Sequence, residues 1–196
     1  MKSLLLLFVI LLNVSAEAQL PGYKDSLKNF QQNYVINHEV VKEADRKYFK
    51  FYPVSEKYHV LATFKKLTDA KGFVMKTSGK ELKKYFKYGK LNFTLDGKLH
   101  ELTVYQSEKL MANEQYKDYL FVPFTDLTSG NKSYGGGRYL DFLISDIKDN
   151  KLLMDFNKAY NPYCAYTTGF NCPIPPREND LPLAIKAGEM EFGKGH

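Results

Sequence analysis

Long hydrophobic runs are scarce in this chain. The longest is Leu4–Leu12, and no later stretch is long and apolar enough to cross a bilayer. Even this run would reach only about 14 Å as a helix, which is half of a hydrocarbon core of roughly 30 Å. The sequence therefore predicts no membrane-spanning helix.

The short run at the N-terminus has the context of a secretory signal peptide. Lys2 supplies a positive charge before Leu4–Leu12, and Ala16-Glu17-Ala18 fits the small-x-small pattern of signal cleavage. No cysteine follows the run, which argues against a bacterial lipid anchor. We expect residues 1–18 to be removed and the exported, secreted or periplasmic protein to begin near Gln19, which N-terminal sequencing would test.

Charge of one sign is not concentrated anywhere in the chain. Lysine and arginine total 28 against 22 aspartates and glutamates, a net charge of +6, and the densest spots are Lys65-Lys66 and Lys83-Lys84. A spread of this kind is typical of a solvated surface, so no nucleic-acid partner is predicted. Residues 19–196 are enough for a single domain with its own core.

The hydrophobic spacing predicts helices first and strands afterwards. Apolar residues at helical spacing predict one N-terminal helix, and Lys42–Phe49 is a weaker second candidate. From Tyr58 to Phe64 the spacing changes to two, as in a half-buried strand, and Phe73–Lys76 and Tyr119–Phe124 are further strands. The helical stripe consists of Tyr23, Leu27, Phe30 and Tyr34.

Asp96-Gly97 is a strong two-residue hairpin signal. That turn places Phe93 opposite His100 and Leu91 opposite Leu102, so that the apolar side chains share one face. His100 then lies on the apolar face, where a hydrogen-bonded core histidine is more common than a metal ligand. We therefore expect a mainly β protein, a single-domain β-sandwich or small barrel with one or two N-terminal helices.

Residues 134–189 hold both cysteines, five of the eight prolines and the only triple glycine. Glycine and proline at such density are typical of one fixed, irregular shape. The triple glycine is not a phosphate loop, because no Lys-Ser/Thr and no helix follow it; a bulge or a close backbone approach explains it better. Leu181–Lys186 is a candidate last strand, with Pro182 near its start.

Arg138–Ile144 and Lys151–Phe156 are interpreted as a second hairpin. Pairing of Ile144 with Leu152 would place Asp141 directly opposite Asp155, and a slip of two residues would leave the two aspartates diagonal. Two facing carboxylates repel each other and need a cation, a shared proton or hydrogen-bond donors. Such a pair suits acid–base chemistry or a bound cation. Alternatively, each aspartate accepts N–H groups from the loop that follows it.

Cys164 and Cys172 are the only cysteines. In an exported protein a closely spaced pair predicts a disulfide first, which would stabilise the fold by roughly 2–3 kcal/mol. A reactive thiol at Cys164 remains the alternative. Two thiols alone make an incomplete zinc site, and the sequence predicts no metal site and names no cofactor.

These motifs resemble the domain-of-unknown-function 1684 family. The resemblance is carried by Tyr134–Asp141, by Asp155–Tyr166, by Cys172–Asn179 and by Ile185–Glu189. It implies that the four segments belong together, and it implies no activity.

Two hypotheses on function follow. The first is a module that binds a small-molecule ligand near the C-terminal motifs. The second is an enzyme, either a hydrolase that uses Asp141 and Asp155 or a protein with thiol chemistry at Cys164. The candidate ligand-binding residues are Arg138, Tyr139, Asp141, Asp155, Asn157, Tyr160 and Asn161.

Overall fold

The computed structural model of the protein describes residues 22–68 and 71–194. The expected signal peptide lies outside the described residues, and so do residues 69 and 70. Helix α1 spans Tyr23–Ile36, and α2 is the single turn Glu108–Met111. The seven strands are β1 His59–Lys66, β2 Gly72–Met75, β3 Lys83–Leu95, β4 Lys98–Ser107, β5 Tyr119–Phe124, β6 Arg138–Leu143 and β7 Lys151–Asp155.

The strands form one curled antiparallel sheet, a half-barrel, in the order β6-β5-β4-β3-β1-β7, with β2 paired to the first part of β3. A register shift between Lys87 and Gly89 marks a β-bulge in β3, where a strand bends and twists more strongly. The fold is therefore mainly β with one N-terminal α-helix. This confirms the predicted class, and the barrel-like form is the one adopted.

The concave face of the sheet carries the core. Alternate residues of β1 and β3–β7 are buried there, as the period of two requires. Two residues of the irregular C-terminal segment, Ile185 and Ala187, are fully buried against them. The fully buried strand residues include Ala62, Leu91, Phe93, Leu102, Val104, Leu120, Val122, Phe124, Leu152 and Met154.

The Asp96-Gly97 hairpin has the predicted register. Phe93 is paired with His100 and Leu91 with Leu102. His100 is buried, and its Nε2 atom lies 3.3 Å from the carbonyl of Leu95. The interpretation of His100 as a hydrogen-bonded core residue is confirmed.

The second predicted hairpin is wrong. β6 pairs with β5 and β7 pairs with β1, so the two strands lie at opposite ends of the sheet order. Asp141 is paired with Phe121, and Asp155 with His59. The residues between the strands form a 3₁₀-helix, Ile144–Asp146, and a small local turn instead of a hairpin connection.

Two further elements differ from the prediction. Lys42–Phe49 contains a 3₁₀-helix, Glu43–Tyr48, in place of an α-helix. Leu181–Lys186 is not a strand: it makes single hydrogen bonds to the segment after β5, such as the one from the Leu181 N–H to the Thr125 carbonyl at 2.9 Å. Pro182 lacks an N–H and cannot continue a ladder. None of the described helices is long and apolar enough to cross a membrane.

Candidate functional site

The two end strands of the sheet line a common cleft of about 790 Å³. Leu140, Asp141 and Phe142 of β6 form one wall, and Leu152, Leu153 and Asp155 of β7 form the other. The half-barrel is therefore open between β6 and β7, and the opening is large enough for a small molecule. The remaining lining residues are Phe30, Tyr34, Ser145, Asp146, Lys148, Lys158 and Tyr160.

Helix α1 covers one side of this cleft because its apolar stripe faces the sheet. Leu27 is buried, whereas Phe30 and Tyr34 reach the cleft wall. The ammonium of Lys158 lies 5.6 Å from the centre of the Phe30 ring, a cation–π distance. The hydroxyl of Tyr23 donates to Asp155 at 3.0 Å and ties the start of the helix to the end of β7.

Asp141 is the carboxyl that the cleft presents to solvent. Its side chain is open to the cleft, and the hydroxyl of Tyr160 donates to it at 2.6 Å. The walls of the cleft surround the carboxyl closely enough for desolvation to raise the pKa of Asp141 to about 6, although the Tyr160 hydrogen bond acts in the opposite direction. A carboxyl of this kind can take up or release a proton near neutral pH.

Asp155 lines the same cleft, but its carboxylate oxygens accept hydrogen bonds that stabilise the fold. Its Oδ1 accepts the backbone N–H of Asn157 at 2.9 Å and the side-chain amide of Asn157 at 2.8 Å. Its Oδ2 accepts the Tyr23 hydroxyl. The alternative interpretation, an aspartate that accepts N–H groups from the following loop, therefore describes Asp155 and does not describe Asp141.

A second carboxyl with a raised pKa lies behind the cleft wall. Glu189 is completely buried and accepts hydrogen bonds from the Tyr166 hydroxyl at 2.8 Å, from the Asn161 N–H at 2.9 Å and from the Tyr34 hydroxyl at 3.3 Å. Desolvation raises the pKa of Glu189 to about 7 against the effect of these donors. Tyr34 thus connects the cleft wall to a buried acid.

The other predicted site residues do not line the cleft. Arg138 is fully buried and pairs with Asp126 at 2.7 Å. Tyr139 donates its hydroxyl to the Pro173 carbonyl. Asn157 and Asn161 are buried and bind backbone groups: Asn157 accepts from the Ser55 N–H at 3.0 Å, and Asn161 donates to the Met190 carbonyl at 2.8 Å.

Glycine permits the tight path of the segment around Arg138. Gly188 has a φ of +74°, and a Cβ there would lie 2.7 Å from the carbonyl oxygen of Phe156. Gly137, the last residue of the triple glycine, has a φ of +86°, and a Cβ would lie 2.6 Å from the carbonyl oxygen of Phe124. The expected close backbone approach is confirmed at Gly137.

The structure joins Cys164 and Cys172 in a disulfide, with 6.3 Å between their Cα atoms. Ser78, between β2 and β3, accepts the Cys172 N–H at 3.0 Å and thus anchors the closed loop to the sheet. A disulfide is typical of the oxidising compartment that the export prediction implies. Export itself stays a prediction.

The part of the chain that the structure describes holds no cluster of three or more His, Cys, Asp or Glu side chains that could bind a metal ion. The residues that line the cleft offer apolar surface, hydrogen-bonding groups and the Asp141 carboxyl.

Comparison with known proteins gives a family but no activity. The family model described as "Protein of unknown function (DUF1684)" matches residues 46–190. The solution NMR structure of an uncharacterized protein of Haloarcula marismortui is similar at 31% identity and a TM-score of 0.64, over 85% of this chain and 94% of that chain. None of the curated proteins matches.

Proposed function

Since this chain belongs to the DUF1684 family of proteins of unknown function, we propose its function from the cleft: it binds a small, largely apolar molecule that carries one polar group. The observation that carries the proposal is the unclosed half-barrel. The two end strands leave a space of about 790 Å³ between them, within the range of small-molecule sites, which is typically 300–1,000 Å³.

The lining of the cleft supports this ligand class. Phe30, Leu140, Phe142, Leu152 and Leu153 supply apolar surface for the body of the molecule. The polar group is placed by the Asp141 carboxyl and the Tyr160 hydroxyl. Ligand sites combine a mostly apolar lining with a few converging polar groups in this way.

An acid–base enzyme is the second candidate, and the Asp141–Tyr160 pair favours it. A carboxyl whose raised pKa lies near neutral pH can take a proton from a bound molecule and return it. In this case Asp141 is the acid or base, and Tyr160 holds it in position through the 2.6 Å hydrogen bond. Asp155 does not join it in this role, because Asn157 and Tyr23 already occupy its oxygens.

Native mass spectrometry of purified wild type, Leu153→Arg and Leu61→Arg tests the binding proposal. Leu153 and Leu61 are directly paired across β7 and β1 and are similarly exposed, at 54% and 57%, but only Leu153 lines the cleft. Surface changes of this kind usually alter stability by less than about 0.5 kcal/mol, so both variants should fold.

We expect a co-purified small molecule on the wild type and on Leu61→Arg, and none on Leu153→Arg, because the arginine fills the cleft and places a charge against its apolar wall. A wild-type spectrum without any bound molecule would count against the proposal. So would equal binding by the two variants, since the molecule would then lie elsewhere.

A further inference from the structure

Helix α1 has a second face that the cleft does not use. Lys28, Gln31, Gln32 and Val35 are spaced i, i+3, i+4 and i+7, so they lie along one side of the helix. Phe30 and Tyr34 point to the cleft on the other side. The helix therefore separates two different surroundings.

This second face lines a separate cavity of about 420 Å³. The opposite wall is formed by the 3₁₀-helix Glu43–Tyr48 and the extended residues that follow it. The residues of that wall are Arg46, Lys47, Phe49 and Phe51, and α1 contributes Ile36 beside its four-residue stripe. Every polar side chain that lines the cavity can donate a hydrogen bond, although the two glutamine amides can also accept one. Three of these side chains are cationic: Lys28, Arg46 and Lys47.

No carboxylate is among the described residues that line this cavity. Of two acids close by in the chain, Asp45 pairs with Lys194 at 2.7 Å, whereas Asp25 lies 3.7 Å from Lys28 itself, in a largely exposed pair that is worth little. The cationic charge of the cavity is therefore not neutralised by its own walls.

Two donors at this cavity are buried without an acceptor. They are the side-chain amide nitrogen of Gln31 and the Nε of Arg46, neither of which has a partner among the described residues. A buried donor without an acceptor is unfavourable, so such groups are commonly satisfied by a bound molecule or water. Both residues lie on the wall of the same cavity, one from each side.

We propose that this cavity binds a soluble small molecule through a phosphoryl group held by Arg46, Gln31 and Lys28. A phosphoryl group suits three cationic or amide donors better than a carboxylate does, because it offers three acceptor oxygens and close to two negative charges, against two oxygens and one charge. Arginine suits this role because its fork of N–H groups binds phosphate oxygens in pairs. Phe49 and Phe51 offer apolar surface for the rest of the molecule.

Isothermal titration of the purified protein with pyrophosphate tests this proposal. We expect one pyrophosphate per chain and an affinity about tenfold lower in Arg46→Ala, because a charge-assisted contact is lost. Gln31→Ala, a milder change that removes only the unpaired amide, should weaken binding by about threefold. Arg177→Ala is the matched control, since Arg177 is exposed and does not line the cavity; its affinity should stay within about twofold of wild type.

The proposal is overturned by an absence of pyrophosphate binding, or by equal losses in Arg46→Ala and Arg177→Ala, which would indicate general charge attraction. Sedimentation with phosphatidylglycerol vesicles distinguishes a lipid headgroup from a soluble ligand. Vesicle binding that requires Arg46, without binding of free pyrophosphate, would also contradict a soluble ligand. The cleft between β6 and β7 plays no part in this experiment, so its outcome is independent of the proposed function.

Discussion

We expect Arg138→Met to lower the free energy of unfolding by about 3–5 kcal/mol, the usual effect of removing one partner of a buried ion pair. For a protein of this size the melting temperature should fall by roughly 6–20 °C. The guanidinium is fully buried, pairs with Asp126 at 2.7 Å and donates to the carbonyls of Ile185, Ala187 and Glu189. Methionine fills much of the same volume but leaves the Asp126 carboxylate and these carbonyls without their partner.

Thermal melts of Arg138→Met and Arg177→Met measure this effect with a matched control. Arg177 is exposed, so the same substitution there should change stability by less than about 0.5 kcal/mol. Asp126→Asn combined with Arg138→Met should recover part of the loss, because no buried charge is then left alone. Equal melting temperatures for the two single variants would show that Arg138 does not hold the C-terminal segment in place.

The second large effect is a dependence of stability on pH that comes from Glu189. Its pKa is raised from 4.5 to about 7 in the folded protein, so between these values the folded chain keeps a proton that the unfolded chain has lost. The contribution to stability is therefore complete below the unfolded pKa and is lost as the pH rises through the folded pKa. The loss amounts to about 3 kcal/mol.

Urea denaturation of wild type and Glu189→Gln at about pH 4 and pH 8 measures this contribution. Glutamine resembles the protonated acid and can still accept from Tyr166 and the Asn161 N–H. We therefore expect the difference between wild type and variant to change by about 3 kcal/mol in favour of the variant as the pH rises. The raised pKa of Asp141 is present in both proteins and cancels. A difference that is independent of pH would contradict the raised pKa of Glu189.

Local patterns in the sequence predict most of the fold. The alternation through β1, the Asp96-Gly97 turn and the limits of β5 depend on neighbouring residues, and the structure agrees with them. Local patterns do not determine which strand pairs with which. β6 and β7 have matching apolar faces and lie close in sequence, so they were interpreted as a hairpin, although each pairs with a distant strand.

The candidate site, too, was predicted only in part from the sequence, because the rest depends on how distant strands are arranged. Asp141, Asp155 and Tyr160 line one cleft, but for a reason that the sequence did not contain: the sheet curls and brings its end strands to a common space. Arg138 was predicted to face a ligand, because a sequence cannot tell a buried arginine from an exposed one.

Glu189 stands out in the sequence only as the last residue of a motif. Its buried hydrogen bonds come from Tyr34 and Tyr166, which are distant in the chain. Phe30 and Tyr34 were predicted only as part of the apolar stripe of a helix, and no signal in the sequence showed that they border a cleft.

The proposed function assigns Asp141 to the cleft and Asp155 to the fold, and a thermal melt of two conservative variants at about pH 7 tests this division most directly. Asp155→Asn should lower the melting temperature by roughly 3–12 °C, because it weakens charge-assisted hydrogen bonds from Tyr23 and Asn157. Asp141→Asn should leave the melting temperature unchanged or raise it, since it removes a desolvated charge while the Tyr160 hydroxyl keeps an acceptor. A fall for Asp141→Asn as large as that for Asp155→Asn would show that Asp141 also serves the fold, and would contradict its assignment to the cleft.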